Sequence, residues 1–87
     1  FNIHKIIVDE TVTLFFLENK ISVSNTLKKV KNKLELFPRS YESYKNHDNI
    51  RVIKVENLLL LYIIDESEKN IYIKDIIFSK SKVTFKL

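Results

Sequence analysis

The sequence has no glycine, no cysteine and only one proline, and these absences exclude several classes of site. Without glycine, the chain cannot build the glycine-rich loops that hold phosphates in dinucleotide-binding and Walker-type proteins. Without cysteine, it has neither disulfides nor a cysteine-based zinc site. Small secreted domains often carry disulfides, so the lack of cysteine agrees with a cytoplasmic protein.

Long hydrophobic runs are also absent. The longest, residues 58–64, has seven apolar residues, whereas a transmembrane helix needs about 18 or more. No segment has the charged, apolar and small-residue regions of a secretory signal. We therefore expect no membrane association and a cytoplasmic location. Between turn residues, an apolar run of this length is typical of a strand buried on both faces, or nearly so.

The chain is long enough for one domain, residues 1–87, and its hydrophobic fraction of 45% can form a modest core. Fifteen Lys and Arg residues against eleven Asp and Glu residues give a formal net charge of +4. This excess makes a polyanion such as nucleic acid the first partner to consider. The alternative is an ordinary basic soluble protein.

The first half of the chain predicts one strand followed by two helices. Residues 1–8 are rich in β-branched and aromatic residues and precede Asp9, a good helix N-cap. Apolar residues spaced by three or four predict a first helix from there. Ser22 or Ser24 can cap a second helix, which we expect to end at Pro38.

The predicted second helix carries a cluster of basic residues: Lys28, Lys29, Lys31 and Lys33. They project largely away from the apolar face of the helix, which includes Phe37. Such a cluster is most often a solvated surface. The functional alternative is contact with nucleic-acid phosphates, for which Lys28 and Lys31 are the candidates.

The second half of the chain predicts an antiparallel meander. Residues 39–48 are polar and indicate a loop, and the three strands that follow are residues 49–55, 58–64 and 71–78. Residues 83–87 alternate apolar and polar, which predicts a last short strand or an extended tail. The predicted fold class is α+β, in the order β-α-α-β-β-β. Two N-terminal helices pack on a twisted antiparallel sheet of about four to five strands.

Histidines and carboxylates give no metal or cofactor site in the sequence. His4 lies in the predicted first strand without a cysteine or a second histidine nearby, which indicates a structural histidine. Asp65, Glu66 and Glu68 cluster in a predicted hairpin turn and are expected to be solvated. We therefore expect neither a metal nor another cofactor.

Four segments resemble, in their order and spacing, the bacterial RelE/ParE toxin superfamily of type II toxin-antitoxin systems. They are LKKVKNKLELFP, IRVIKVEN, LLLLYIIDE and IYIKDIIF, and the resemblance covers about residues 8–80. It implies two helices against a twisted antiparallel sheet. It also implies a cognate antitoxin, which would lay an acidic, partly disordered segment over the toxin. Residues 83–87 are a candidate edge for that contact.

Members of this superfamily either cleave mRNA on the ribosome without a metal or inhibit DNA gyrase. The resemblance implies that the ribosome and mRNA are the targets, with gyrase as the alternative. The implied catalytic residues are Arg51, Lys54, Lys80 and Tyr72. The first three would stabilise phosphate charge, and the tyrosine would transfer a proton or stack on a base. The implied RNA-binding residues are Lys28, Lys31, Lys74 and Lys82.

The sequence departs from the superfamily pattern at positions that matter for catalysis. Leu58 and Leu59 stand where many members have Tyr-Arg, and Phe78 stands where a histidine is usual. Phe85 is the residue nearest to the usual C-terminal tyrosine. Three hypotheses therefore stay open. The protein is a ribosome-dependent endoribonuclease, a gyrase-blocking or inactive toxin homologue, or a small basic nucleic-acid-binding domain.

Overall fold

The computed structural model describes residues 3–86 as two helices and five strands. In chain order these are β1 (Lys5–Val8), α1 (Glu10–Glu18), α2 (Val23–Leu34), β2 (Glu42–Tyr44), β3 (His47–Val55), β4 (Leu58–Asp65) and β5 (Asn70–Phe78). The predicted α+β class and the order of the elements are confirmed. No helix in this part of the chain combines the length and the apolar character that a bilayer span needs.

The five strands form one sheet in the order β1-β5-β4-β3-β2. Strands β2 to β5 are antiparallel to their neighbours, as the sequence predicts for the meander. Strand β1 is the exception, because it pairs in parallel with β5, from Lys5 opposite Asn70 to Val8 opposite Ile73. The chain leaves β1, passes through both helices, enters the sheet at the far edge and returns strand by strand to β1.

Two predictions between α2 and β3 are wrong. Residues 39–48 are not all loop, because β2 lies within them and β3 begins at His47. The turn between the two strands consists of Lys45 and Asn46, with φ of 50° and 64°. Two-residue hairpins favour positive φ at both central positions, and glycine is their usual sequence signal. This chain makes the turn without glycine, which hides the hairpin from sequence reasoning.

The second helix is also shorter than predicted. It ends at Leu34 rather than at Pro38, so the side chain of Phe37 is not part of the apolar helix face and is 66% exposed. Proline disfavours helical geometry in the residue before it, which accounts for Phe37 lying outside the helix but not for the end at Leu34. Residues 83–86 form no strand and have no regular secondary structure; Leu87, the end of that prediction, lies outside the described residues.

Local signals set the ends of both helices. Asp9 caps α1 by accepting a hydrogen bond from the Thr11 backbone, and Ser22 caps α2 by accepting one from Asn25. At the end of α1, the Lys20 N–H donates to Leu17 O and the Ile21 N–H donates to Phe16 O. These two bonds, with Lys20 at φ 55°, are the Schellman motif that commonly ends helices.

The core lies between the helices and one face of the sheet, which we call the inner face. Val12, Phe16, Val30 and Leu34 from the helices pack with alternate residues of β3, β4 and β5. Tyr62 is fully buried there, and its hydroxyl donates to Pro38 O at 2.5 Å. Burial raises the pKa of Tyr62 far above its usual value. This hydrogen bond fixes the chain that follows α2 onto the core.

The opposite side of the sheet, the outer face, carries the other set of alternating residues. They include Val52, Lys54, Leu59, Leu61, Ile63, Tyr72 and Ile77. Most are half-buried, but Leu61 is 0% exposed although it is not part of the cluster that the helices cover. Leu61 therefore has a cover other than the helices. The C-terminal residues reach this part of the sheet, because the Lys86 N–H donates to Asp75, the residue opposite Leu61 on β5.

Candidate functional site

The outer face ends in a group of lysines where β3 and β5 finish and β4 begins. Lys54 pairs with Leu59, which pairs with Ile77 on its other side. The Cα atoms of Lys54 and Ile77 are therefore about 10 Å apart, two strand spacings. Beyond β5, Ser79 N–H donates to Asn57 O at 2.8 Å, which holds the chain at this end of the sheet.

A tight turn after β5 presents the remaining lysines of this group. Ser81 N–H donates to Phe78 O at 3.0 Å, so Lys80 lies at the tip of the turn, followed by Lys82. Both are exposed, as is Lys54, and among residues 3–86 none of the three forms an ion pair. We call Lys54, Lys80 and Lys82 the basic end.

Tyr72 lies on the same face as the basic end but far from it. It pairs with Ile63, four residues along β4 from Leu59, a separation of about 13 Å. Its hydroxyl accepts a hydrogen bond from the Asn70 side chain at 3.1 Å. A group that exchanges a proton must come within about 3 Å of it, so Tyr72 cannot serve chemistry at the basic end in this arrangement.

Arg51 lies on the inner face and is engaged by the protein itself. Its side chain is only 14% exposed. Its Nη1 donates to Tyr41 O at 2.7 Å and to Arg39 O at 3.2 Å, and its Nη2 donates to the Asp48 carboxylate at 2.8 Å. Arg51 thus ties the connection between α2 and β2 to the sheet, on the opposite face from Lys54.

Lys74 is also held by the protein. It stands at an irregularity of the β4–β5 ladder, and its Nζ lies 3.2 Å from Asp9 Oδ1. Hydrogen bonds from Thr11, together with this lysine, hold the pKa of Asp9 below its usual value. The ammonium of Lys74 therefore already has an anionic partner at the start of α1.

The candidate lysines of α2 belong to the helix layer. Lys28 and Lys31 are both exposed. Lys31 lines a groove of about 510 Å³ between α2 and β1, together with Glu35 and Leu27. The structure thus places Lys54 and the turn with Lys80 at one end of the sheet, with Lys82 just beyond that turn. It leaves the other predicted site residues elsewhere.

Sequence reasoning missed the contacts of residues 79–86, which we call the C-terminal strap. Lys86 N–H donates to Asp75 Oδ2 at 2.8 Å. The Phe85 ring meets the Tyr44 ring edge-on, with centroids 5.6 Å apart and an interplanar angle of 88°. Tyr44 is on β2 and Asp75 on β5, so the strap and its phenylalanine reach across the outer face. The only sequence signal was a charged residue, Asp75, within an otherwise apolar strand.

The strap also forms one wall of a groove of about 480 Å³ beside α1. The other wall comes from Leu14, Phe15 and Glu18 of the helix, and the floor is the second half of β5. Val83 of the strap, 62% exposed, lines the groove as well. The groove is mostly apolar and holds no cluster of catalytic groups.

His4 and Glu66 form a second feature that sequence reasoning missed. His4 is buried, and its Nε2 lies 2.6 Å from Glu66 Oε1, while its Nδ1 lies 3.3 Å from Glu35 O. The hydrogen bond with His4 lowers the pKa of Glu66. Glu66 is exposed, as expected for this hairpin turn, but its carboxylate also joins the β4–β5 hairpin to His4, the residue before β1. Within residues 3–86, no three His, Cys, Asp or Glu side chains are grouped as a metal site requires.

Comparisons with known proteins assign the chain to no family. A scan against protein-family models finds no match, and a search of curated proteins finds no significant relative.

Proposed function

We propose that this protein is a RelE/ParE-like toxin that acts on RNA at the translating ribosome and binds phosphates through its basic end. The observation that supports this proposal most is the position of Lys54 and of the turn with Lys80 at one end of the sheet, with Lys82 just beyond the turn. All three lysines are exposed and form no ion pair among the described residues. Ammonium groups in such a cluster attract the RNA backbone and replace its counterions. A cognate antitoxin with an acidic segment would neutralise the same lysines.

Lysines in this position suit RNA cleavage by the 2′-hydroxyl without a metal. When the hydroxyl oxygen attacks the adjacent phosphorus, negative charge grows on the phosphate oxygens, and nearby ammonium groups stabilise it. In this step the 2′-hydroxyl proton passes to a water molecule, the bond from the 2′-oxygen to phosphorus forms and the bond to the 5′-oxygen breaks. The 5′-oxygen takes up a proton from water, which leaves a 2′,3′-cyclic phosphate. In this proposal Lys54 and Lys80 bind the phosphate, and Lys82 binds a neighbouring one.

A second candidate is a toxin-like protein that blocks its target, gyrase or the ribosome, without cleavage. The observation in its favour is the position of the proton-transfer groups. Tyr72 lies at the other end of the outer face, and Glu56, close to Lys54 in sequence, is bound by Lys29 at 2.6 Å. A base that accepts the 2′-hydroxyl proton would then be absent from the basic end, and binding alone would inhibit.

The test is inducible expression in a bacterial host, with growth and mRNA cut sites, mapped by primer extension, as readouts. We expect arrest with cuts inside translated codons, and loss of both in Lys54→Gln/Lys80→Gln. The matched control is Lys5→Gln/Lys33→Gln, which removes the same charge from exposed positions on β1 and α2 and should leave arrest intact.

Arrest without cuts would favour the blocking protein. Arrest that survives Lys54→Gln/Lys80→Gln, or that Lys5→Gln/Lys33→Gln abolishes equally, would contradict a role for the basic end. No arrest by the wild type would contradict a toxin function altogether.

A further inference from the structure

We propose that the C-terminal strap is a releasable element that sets the phosphate affinity of the basic end. When the strap lies on the outer face, Lys82 is held between the turn that carries Lys80 and the anchor at Asp75. When the strap detaches, Lys82 stays close to Lys80 in the chain but loses its fixed position. The proposal rests on the proposed function for the identity of the ligand, and it assigns to that site a means of regulation.

One carboxylate anchors the far end of the strap. Asp75 Oδ2 accepts the Lys86 N–H at 2.8 Å, and Asp75 Oδ1 accepts the Ile76 N–H at 2.9 Å. Strand β1 pairs with β5 only as far as Val8 opposite Ile73. Beyond that point, no strand of the described chain pairs with the edge of β5 that faces away from β4. At that edge the Asp75 carboxylate accepts hydrogen bonds from two backbone N–H groups, one in β5 and one in the strap.

An aromatic contact is the second anchor. Phe85 meets Tyr44 edge-on, a geometry that contributes about 0.5–1.5 kcal/mol beyond burial. The Lys45 ammonium lies 5.3 Å from the centre of the Tyr44 ring. Leu61, fully buried on the outer face, lies in the strand next to β5, in the part of the sheet that the strap crosses. Release of Phe85 would expose apolar surface there.

Between its anchors and the turn after β5, the hydrogen bond that the described residues show lies within the strap itself. Lys82, Val83 and Thr84 are exposed, and the Val83 N–H donates to Ser81 Oγ at 3.1 Å. The turn is fixed to the sheet through Ser79, so Lys80 keeps its place when the strap detaches. The anchors at Asp75 and Phe85 therefore control the position of Lys82, and the turn acts as the hinge.

For Asp75→Asn, the strap proposal and simple electrostatics predict opposite changes in the affinity for RNA. Asp75→Asn removes a negative charge from the sheet, which by itself should strengthen the binding of a polyanion. The same substitution weakens both anchoring hydrogen bonds of the carboxylate, which should release the strap and weaken binding. The direction of the change in affinity therefore separates the two explanations.

The experiment measures two properties of purified wild type, Asp75→Asn and Phe85→Leu. These are amide hydrogen exchange at Lys86 and binding of a short single-stranded oligoribonucleotide at about 50 and 200 mM salt. In both variants we expect Lys86 exchange to be about tenfold faster and affinity to fall about three- to tenfold. The slope of affinity against salt should shrink by about one phosphate contact. Phe85→Leu changes no charge, so its effect reports on the strap alone.

Asp65→Asn is the matched control, because Asp65 bonds Ser67 and Glu68 within the hairpin turn at the other end of β4. It should leave Lys86 exchange unchanged and affinity equal to or slightly above that of the wild type. Unchanged Lys86 exchange in Asp75→Asn would show that Asp75 does not anchor the strap. Faster exchange with equal or higher affinity would show that the strap does not set the affinity for RNA. If the wild type binds no RNA, the proposed function itself fails. If the wild type binds RNA and neither strap variant changes the affinity, only the proposal for the strap is refuted.

Discussion

At the scale of single residues, the absence of glycine imposes a cost at the tight turns. Among the described residues, those with left-handed backbone are Lys20, Lys45, Asn46, Glu56 and Lys69, with φ from 50° to 64°. For a residue with a Cβ atom, this conformation costs about 1–2 kcal/mol, with asparagine at the low end. The fold therefore holds several positions at which glycine would be the easier choice.

Lys20→Gly should stabilise the protein. Lys20 occupies the position of the Schellman motif that glycine normally fills, is exposed and forms no ion pair in the described chain. We expect the free energy of unfolding to rise by about 1 kcal/mol, measured by urea denaturation. Lys20→Ala removes the same charge but keeps the Cβ atom, and it should change stability little. An equal gain in both variants would point to charge rather than backbone strain.

Residue periodicity in the sequence already contained part of the site geometry. Arg51 and Lys54 are three positions apart in a strand, so they must face opposite sides of the sheet. The resemblance grouped them in one catalytic set, and the structure places them apart. The anchoring of Lys86 by Asp75 could not be predicted in the same way, because it joins residues from a strand and an irregular tail.

At the scale of elements, the ends that local chemistry determines were predictable. Asp9 and Ser22 cap their helices as expected, because a cap needs only its own next few residues. Strand β2 was missed because its three residues become a strand only by pairing with β3. The parallel pairing of β1 with β5 was missed as well, because it depends on where the whole meander ends.

Arg51→Lys should loosen the connection between α2 and β2. A lysine has no planar fork with which to reach Asp48 and the carbonyls of Arg39 and Tyr41 together. Leaving these acceptors without partners should lower the free energy of unfolding by about 2 kcal/mol. Lys54→Gln, on the exposed side of the same strand, should change it by less than about 0.5 kcal/mol. Thermal unfolding of both variants distinguishes a structural arginine from one that only binds a ligand.

At the scale of the whole molecule, several carboxylates link stability to pH in the same direction. The pKa values of Asp9, Asp65 and Glu66 are lowered in the folded protein, chiefly by side-chain hydrogen bonds from Thr11, Ser67 and His4. As pH falls, the unfolded chain therefore takes up protons before the folded protein does. The stability that these groups provide is present above their unfolded pKa values and is lost as pH falls through the folded ones.

We expect the thermal midpoint to decline steeply once the pH falls below about 4. Glu66→Gln should make this decline shallower, because it removes one of the carboxylates with a lowered pKa. It should also lower the midpoint near neutral pH, where the charged carboxylate binds His4. Melting curves of wild type and Glu66→Gln from pH 3 to about pH 6 provide the check. Parallel curves would contradict the link between His4 and Glu66.

The parallel pairing of β1 with β5 has a consequence for the order of synthesis. Lys5 pairs with Asn70, which is synthesised much later, and ribosomes add about 5–20 residues per second. The first strand therefore emerges about 3–13 s before its neighbour exists. Lys80 and Lys82 are made later still. A nascent chain that has not yet reached Lys82 thus lacks part of the basic end, and one that has not reached β5 also lacks a finished sheet. RNA binding as we propose therefore requires synthesis through Lys82.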